Sequence, residues 1–244
     1  MGTMENLDQF FKSAFTVDNV IFGFDEGDLK VLLIKRGEEP YEGQWGLPGY
    51  FVNENEDLDH AANRVLEQLT GLQNVFLEQV ATFGDVNRHP TGRVITVAYF
   101  SLIKINQYSI QPSSIANRAA WISIGDAEKL AFDHTEILRA CFNRLKLLVR
   151  TRPVGFELLP RKFTLTELQH LYEAILETDL DKRNFRKKIL SMNLLIDLDE
   201  TQEGVAHRPA RLYKFDKEKY DELLAEGFSF ELKESRRKMV EHVG

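Results

Sequence analysis

The stretch "GYFVNENEDLDHAANRVLEQLTGL", Gly49–Leu72, decides how the N-terminal part of the chain is read. Leu58, Ala61, Ala62, Val65, Leu66 and Leu69 recur at helical spacing and make one apolar stripe. Asp57 stands where an N-cap is needed, and Gly71 suits the left-handed residue that ends a helix. The segment therefore predicts a capped amphipathic helix, entered from a short extended run, "GLPGYFV".

Working outward, "FTVDNVIFGF" and "LKVLLIKR" flank the acidic, glycine-containing turn "DEGD" and predict a hairpin. "VFLEQVATFGDV" and "RVITVAYFSLIKI" predict further strands around the turn "NRHPTG", and "AAWISIGDAEKL" passes from a strand into a helix start. In "TEILRACFNRLKLLVR" the residues Ile137, Leu138, Cys141, Leu145 and Leu148 keep helical spacing. Residues 15–150 thus predict a mixed sheet with two longer helices. The lone Cys141 has no internal partner and reads as a small buried hydrophobe, which suits a reducing cytoplasm.

Beyond a proline-bearing connector, "TRPVGFELLPRK", the pattern turns helical. Thr164 and Glu167 stand at capping-box spacing before Leu165, Leu168, Leu171, Tyr172 and Ile175. A second helix, "DKRNFRKKILSM", follows closely, and "LLIDLDE" and "ARLYKFD" then bracket the polar loop "TQEGVAHRP". Two helices and a two-stranded ribbon outline a winged helix. The expected divisions are residues 1–150 as a sensing and dimerisation domain, 151–163 as a linker, 164–232 as a winged-helix domain and 233–244 as a tail to which no role is given. Residues 1–3 read as an addition before Met4.

Composition narrows the function. The 244 residues are 43% hydrophobic and 28% charged, as in ordinary globular proteins, and no N-terminal run is apolar enough to predict a leader or a membrane span. The net charge of −7 argues against indiscriminate nucleic-acid binding. It is unevenly spread. Residues 1–150 hold 14 Lys and Arg against 20 Asp and Glu, whereas residues 161–215 hold 10 against 9. On the second helix of the C-terminal pair a helical wheel turns Phe185, Ile189 and Met192 to a core and Arg183, Arg186 and Lys187 away from it. With Lys182 and Asn184 they form a face for the major groove, while His207, Arg208 and Arg211 give the wing cations for the backbone or minor groove.

The N-terminal part resembles a Nudix domain, whose signature runs G-x5-E-x7-R-E-hydrophobic-x-E-E-x-G-hydrophobic. The signature's first glycine falls on Tyr50, its glutamate on Glu56, its arginine on Arg64 and its last pair on Gly71 and Leu72, with "WGLPG" preceding it. The family's metal-binding carboxylates fall on Val65, Gln68 and Leu69. Two aliphatic groups and an amide cannot gather hard divalent cations, and Glu67 is turned about 100° from that face. The helix is thus expected to be structural, with no catalytic residue, no metal and no cofactor. What remains is a pocket. Candidate effector contacts are Lys35, Arg36 and Trp45 near the hairpin, Tyr50, then Asp85, Arg88, His89 and Arg93, and finally Asp133 and His134.

The whole arrangement resembles bacterial Nudix-related transcriptional regulators, on "GFELLP", "FTLTELQHLYEAIL", "LDKRNFRKKI" and "HRPARLYKF". The resemblance implies an α+β protein: a Nudix-like mixed-sheet α/β/α sandwich joined to a winged helix-turn-helix. It further implies a cytoplasmic homodimeric repressor of double-stranded operator DNA, released by a small effector and without membrane partners. One branch of that family answers to ADP-ribose and another to sugars such as arabinose. "LDKRNFRKKI" favours the sugar branch, and the Tyr50 ring disfavours a dinucleotide-sized ligand, so a pentose is expected first and ADP-ribose second. The competing readings are a divergent metal-dependent hydrolase of nucleoside diphosphate derivatives and a protein-binding adaptor.

Overall fold

A computed structural model describes residues 13–25, 27–108, 110–111, 116–204 and 208–226, so His207 and the stretches 1–12 and 227–244 lie outside the described residues. Two compact units divide between Arg144 and Leu145.

The first unit is built around β1 (Ala14–Asp25), which pairs with β2 (Asp28–Arg36) and β4 (Gly49–Phe51) antiparallel and with β6 (Val94–Ile103) in parallel. β2 also carries β3 (Trp45–Gly46) and β7 (Ala116–Ser123), and β6 carries β5 (Glu78–Phe83). This is the expected mixed sheet. A strand so enclosed is buried on both faces, which is why "VDNVIF" reads as a nearly unbroken run and not as an alternation. Period two still sorts its side chains. Val17 and Ile21 face α1 (Leu58–Thr70), and Asn19 donates from Nδ2 to the Ala62 carbonyl at 3.0 Å. Asp18 and Phe22 meet α2 (His134–Thr151): Asp18 contacts His134, and the Phe22 ring lies 6.2 Å from Phe142.

α1 forms as its sequence predicts. The Asp57 side chain accepts from the His60 N–H, and Gly71 ends the helix at φ 75°, its N–H closing on the Glu67 carbonyl. Ala61, Ala62, Val65, Leu66 and Leu69 are buried. Cys141 is fully buried, and burial pushes its thiol up to about 12, so it behaves as the inert hydrophobe expected.

In the second unit, α3 (Leu165–Leu176) begins with the Thr164/Glu167 capping box and α4 (Lys182–Ser191) with Asp181, whose side chain accepts from the Asn184 N–H. β8 (Leu195–Thr201) and β9 (Arg211–Phe215) form the antiparallel wing. α5 (Lys217–Ala225), capped by Asp216, is an element the sequence reading did not anticipate. Residues 151–163 are not the linker expected. Phe156, Leu158, Leu159 and Phe163 are buried, Phe156 stacks on Phe215 at 4.4 Å, and Phe163 pairs with Tyr213 through two backbone hydrogen bonds. Four large apolar side chains in thirteen residues have more to gain from this core than from solvent. No helix among the described residues is long and apolar enough to cross a membrane.

Candidate functional site

The helix that carries the Nudix-like spacing holds no cation face. Val65 and Leu69 are 0% and 1% exposed, packed against Val17, Val97 and Tyr99, and Gln68 is exposed. Among the described residues no group of three or more His, Cys, Asp or Glu is arranged to hold a metal ion. The residues present therefore do not fit the cation cluster of a Nudix hydrolase. Arg64 and Glu56 serve the backbone instead. Arg64 forks onto Glu56 with contacts of 2.8 and 2.5 Å and also donates to the Phe51 carbonyl and to Gln68. Glu56 accepts from the Asn53 N–H at 2.7 Å, and its bonds to Arg64 foremost draw its carboxyl down to about 2. The pair fastens the loop between β4 and α1.

Beside this helix lies a cleft of about 230 Å³ whose lining includes Thr16 and Asp18 from β1, Arg36 at the end of β2, and Tyr50 and Phe51 from β4. The loop before β6 adds Arg88, His89 and Thr91, and the start of α2 adds Phe132 and His134.

Its floor is a buried polar network. Arg88 forms a two-pronged pair with Asp133, at 2.8 and 2.7 Å, and lies 3.7 Å from Asp18. Thr96, from the neighbouring β6, donates to Asp18 Oδ2 at 2.7 Å. His134 Nδ1 accepts from the Leu47 N–H at 2.9 Å, which places the ring proton on Nε2, 3.3 Å from Asp18 Oδ1. Burial foremost lowers the His134 pKa against the opposing pull of Asp18 and Asp133, so the ring is neutral near pH 7 and remains an acceptor. Gly49 makes room for this arrangement, since a Cβ there would stand 1.8 Å from Asp18 Oδ1. Thr16 has a buried hydroxyl with no hydrogen-bond partner among the described residues, a state that costs about 1–3 kcal/mol.

The rim is cationic and aromatic. Arg36 is held by its Nε on the Pro40 carbonyl and lies 4.8 Å over the Phe132 ring. His89 stacks on Phe132 at 5.0 Å, and burial foremost, then Arg88 and Arg36, lowers its pKa and keeps it uncharged. Phe132 has φ 54°, a left-handed conformation that costs an L-residue about 1–3 kcal/mol and is held by the contacts on either side of it.

Of the ten expected effector contacts, Arg36, Tyr50, Arg88, His89 and His134 line the cleft, and Asp133 fixes Arg88. The other four do not line it. Lys35 is exposed on β2 opposite Trp45 and Arg118, and Trp45 is likewise held in the sheet, because alternation along β2 turns position 35 away from Arg36. Asp85 and Arg93 brace their own loop: Asp85 accepts from the Asn87 N–H, and Arg93 donates to the Gly84 and Asp85 carbonyls. Thr16, Asp18, Phe51 and Phe132 were missed. For Asp18 the signal was present, a lone carboxylate inside an apolar strand.

On the second unit, Lys182, Arg183, Asn184 and Lys187 are exposed on α4, and Arg208 is exposed beside the wing. Two expectations need correction. Arg186 does not join the outer face: it is half-buried and donates to Thr166 Oγ1 on α3 at 3.0 Å, because position 186 lies about 100° from Phe185 and so at the flank of the helix. Arg211 is exposed but paired with Asp197 across the wing at 2.8 Å. His207 lies outside the described residues.

Comparison with known proteins divides the chain in the same way. Residues 13–141 match the family model described as NUDIX domain, and residues 155–215 match the NrtR DNA-binding winged helix domain. The chain is 38% identical over 224 residues to the "ADPR responsive transcriptional repressor NtrR" of Acinetobacter baylyi, covering 88% of this chain and 89% of that relative. Shewanella oneidensis NrtR complexed with a 27mer DNA superposes with a TM-score of 0.74 at 32% identity, covering 90% of this chain and 99% of that one. The NUDIX domain of the same protein complexed with ADP ribose superposes with a TM-score of 0.54 at 31% identity, covering 58% of this chain and 94% of that domain.

Proposed function

Because the chain belongs to the Nudix-related transcriptional regulators of NrtR type, we propose that it is an ADP-ribose-responsive repressor whose Nudix unit binds its effector without hydrolysing it. One observation carries this reading. The positions that would grip catalytic cations are sealed in the core, while the adjacent cleft stays open, with a guanidinium rim and an aromatic wall. Arg36 suits a pyrophosphate, and the rings of Tyr50, Phe51 and His89 suit a base. Tyr50 is thus a surface for a nucleotide and not a barrier to one. The earlier preference for a pentose is reversed: the relatives that share the fold are an ADPR-responsive repressor and a domain complexed with ADP ribose, and none supports an arabinose-type effector.

The output is the α4 face. Lys182, Arg183, Asn184 and Lys187 meet the major groove and its phosphates, with Arg208 on the backbone beside the wing. The protein works as a homodimer in the cytoplasm, two α4 helices reading successive grooves. Effector binding lowers operator affinity by favouring a state of the dimer that fits DNA less well.

The test is fluorescence anisotropy on a duplex selected from random sequence by the protein itself. ADP-ribose is expected to release the duplex, arabinose to leave it bound, and Mg²⁺ or Mn²⁺ to yield no AMP. DNA affinity indifferent to ADP-ribose sinks the effector assignment, metal-dependent turnover favours a hydrolase, and no sequence preference at moderate salt favours an adaptor.

A further inference from the structure

Within the cleft, the polar groups separate into two poles. Arg36 is the cation of the rim. Arg88 is already claimed by Asp133 in a two-pronged pair and has Asp18 at 3.7 Å, so its charge is spent within the protein. The floor is a carboxylate. A phosphate brought to Asp18 would meet like charge in a poorly solvated place, whereas a sugar hydroxyl would find an acceptor there.

The Asp18 carboxylate has capacity left. Its two oxygens offer about four lone-pair sites. One is met by His134 Nε2 and one by the Thr96 hydroxyl. Two residues back on β1, and so on the same face of the sheet, Thr16 lines the cleft and keeps its buried hydroxyl without a partner among the described residues. A hydroxyl can both donate and accept, which complements an acceptor-only carboxylate. Gly49, opposite Asp18 on β4, leaves the carboxylate uncovered, since any Cβ there would collide with it.

Resting on the ADP-ribose reading above, we infer that Thr16 and Asp18 form the subsite for the hydroxyls of the effector's terminal ribose and are the residues that distinguish ADP-ribose from ADP. ADP ends at its second phosphate and offers that floor no hydroxyl. Arg36 and the rings hold what the two ligands share, and β1 reads what they do not.

Calorimetric titration of the full chain with ADP-ribose and with ADP tests this, on the wild type, Thr16→Val and Asp18→Asn. Thr16→Val is nearly isosteric and removes an unpartnered hydroxyl, so its Tm should equal or exceed that of the wild type. The ratio of ADP-ribose to ADP affinity is expected to fall several-fold in Thr16→Val and about tenfold in Asp18→Asn. A ratio unchanged in a folded Thr16→Val protein, or a loss shared equally by both ligands, overturns the assignment. A wild type that binds ADP and ADP-ribose equally overturns it while leaving the nucleotide cleft in place. A wild type that binds neither refutes the effector reading as well.

Discussion

The two units use charge in opposite ways. In the first, Arg88, Asp133, Asp18 and His134 lie buried and bound to one another, so each polar group has its place set by the next. In the second, Lys182, Arg183 and Lys187 stand in solvent on a ten-residue helix whose two buried side chains, Phe185 and Ile189, anchor it. A buried network fixes shape and tolerates little change, which suits selecting one small molecule. A solvated basic face acts through long-range field and counterion release, which suits a polyanion.

The largest departure between the units should come from removing one buried cation. Arg88→Ala leaves Asp133 without its pair and crowds the floor with uncompensated carboxylate, and a loss of about 3–5 kcal/mol in urea denaturation is expected. A cost near that of a surface substitution would show the network to be decorative.

The contrasting change is Arg183→Ala with Lys187→Ala. Stability should stay within about 0.5 kcal/mol, as for surface sites generally, while the slope of operator affinity against salt falls by about 2, one for each lost phosphate contact. ADP-ribose affinity of the same protein should not move. An unaltered slope removes α4 from the interface.

The finest distinction is in pH. His134 and His89 have pKa values lowered by burial, so the unfolded chain binds more protons than the folded one as pH falls through about 6.5. The first unit should therefore lose stability on acidification across that range, read as a fall in Tm. The resolved carboxylate shift in the wing, Asp197, is downward, through its bonds to the Asp199 N–H and to Arg211, and its stability is lost only at lower pH. Replacing His134 by Gln, which keeps an acceptor for the Leu47 N–H, should flatten the profile of the first unit. A profile unaffected by that change locates the titration elsewhere.

What was legible in the sequence was local. The caps of α1, the Thr164/Glu167 box and the apolar stripe through Val65 and Leu69 are set by neighbours within a turn or two, and each formed as read. The cleft required long-range pairing. His134 reaches Asp18, and Asp133 reaches Arg88, only because β1, the loop before β6 and the start of α2 converge, and no spacing rule expresses that. Loop polarity therefore found Arg88 and His134 and equally picked up Asp85 and Arg93, which brace a turn. Arg186 was misplaced because a helical wheel records direction from one core and not the second helix alongside.

β1 is a party wall. Its odd positions hold up α1 and its even positions furnish the receptor, so inserting or deleting a residue upstream of Asp18 would swap the tenants of both rooms at once. Anyone wishing to retune this regulator toward another metabolite should leave that wall standing and rebuild at the doorway, where Glu38, Glu39 and Phe51 are exposed and answer to little else.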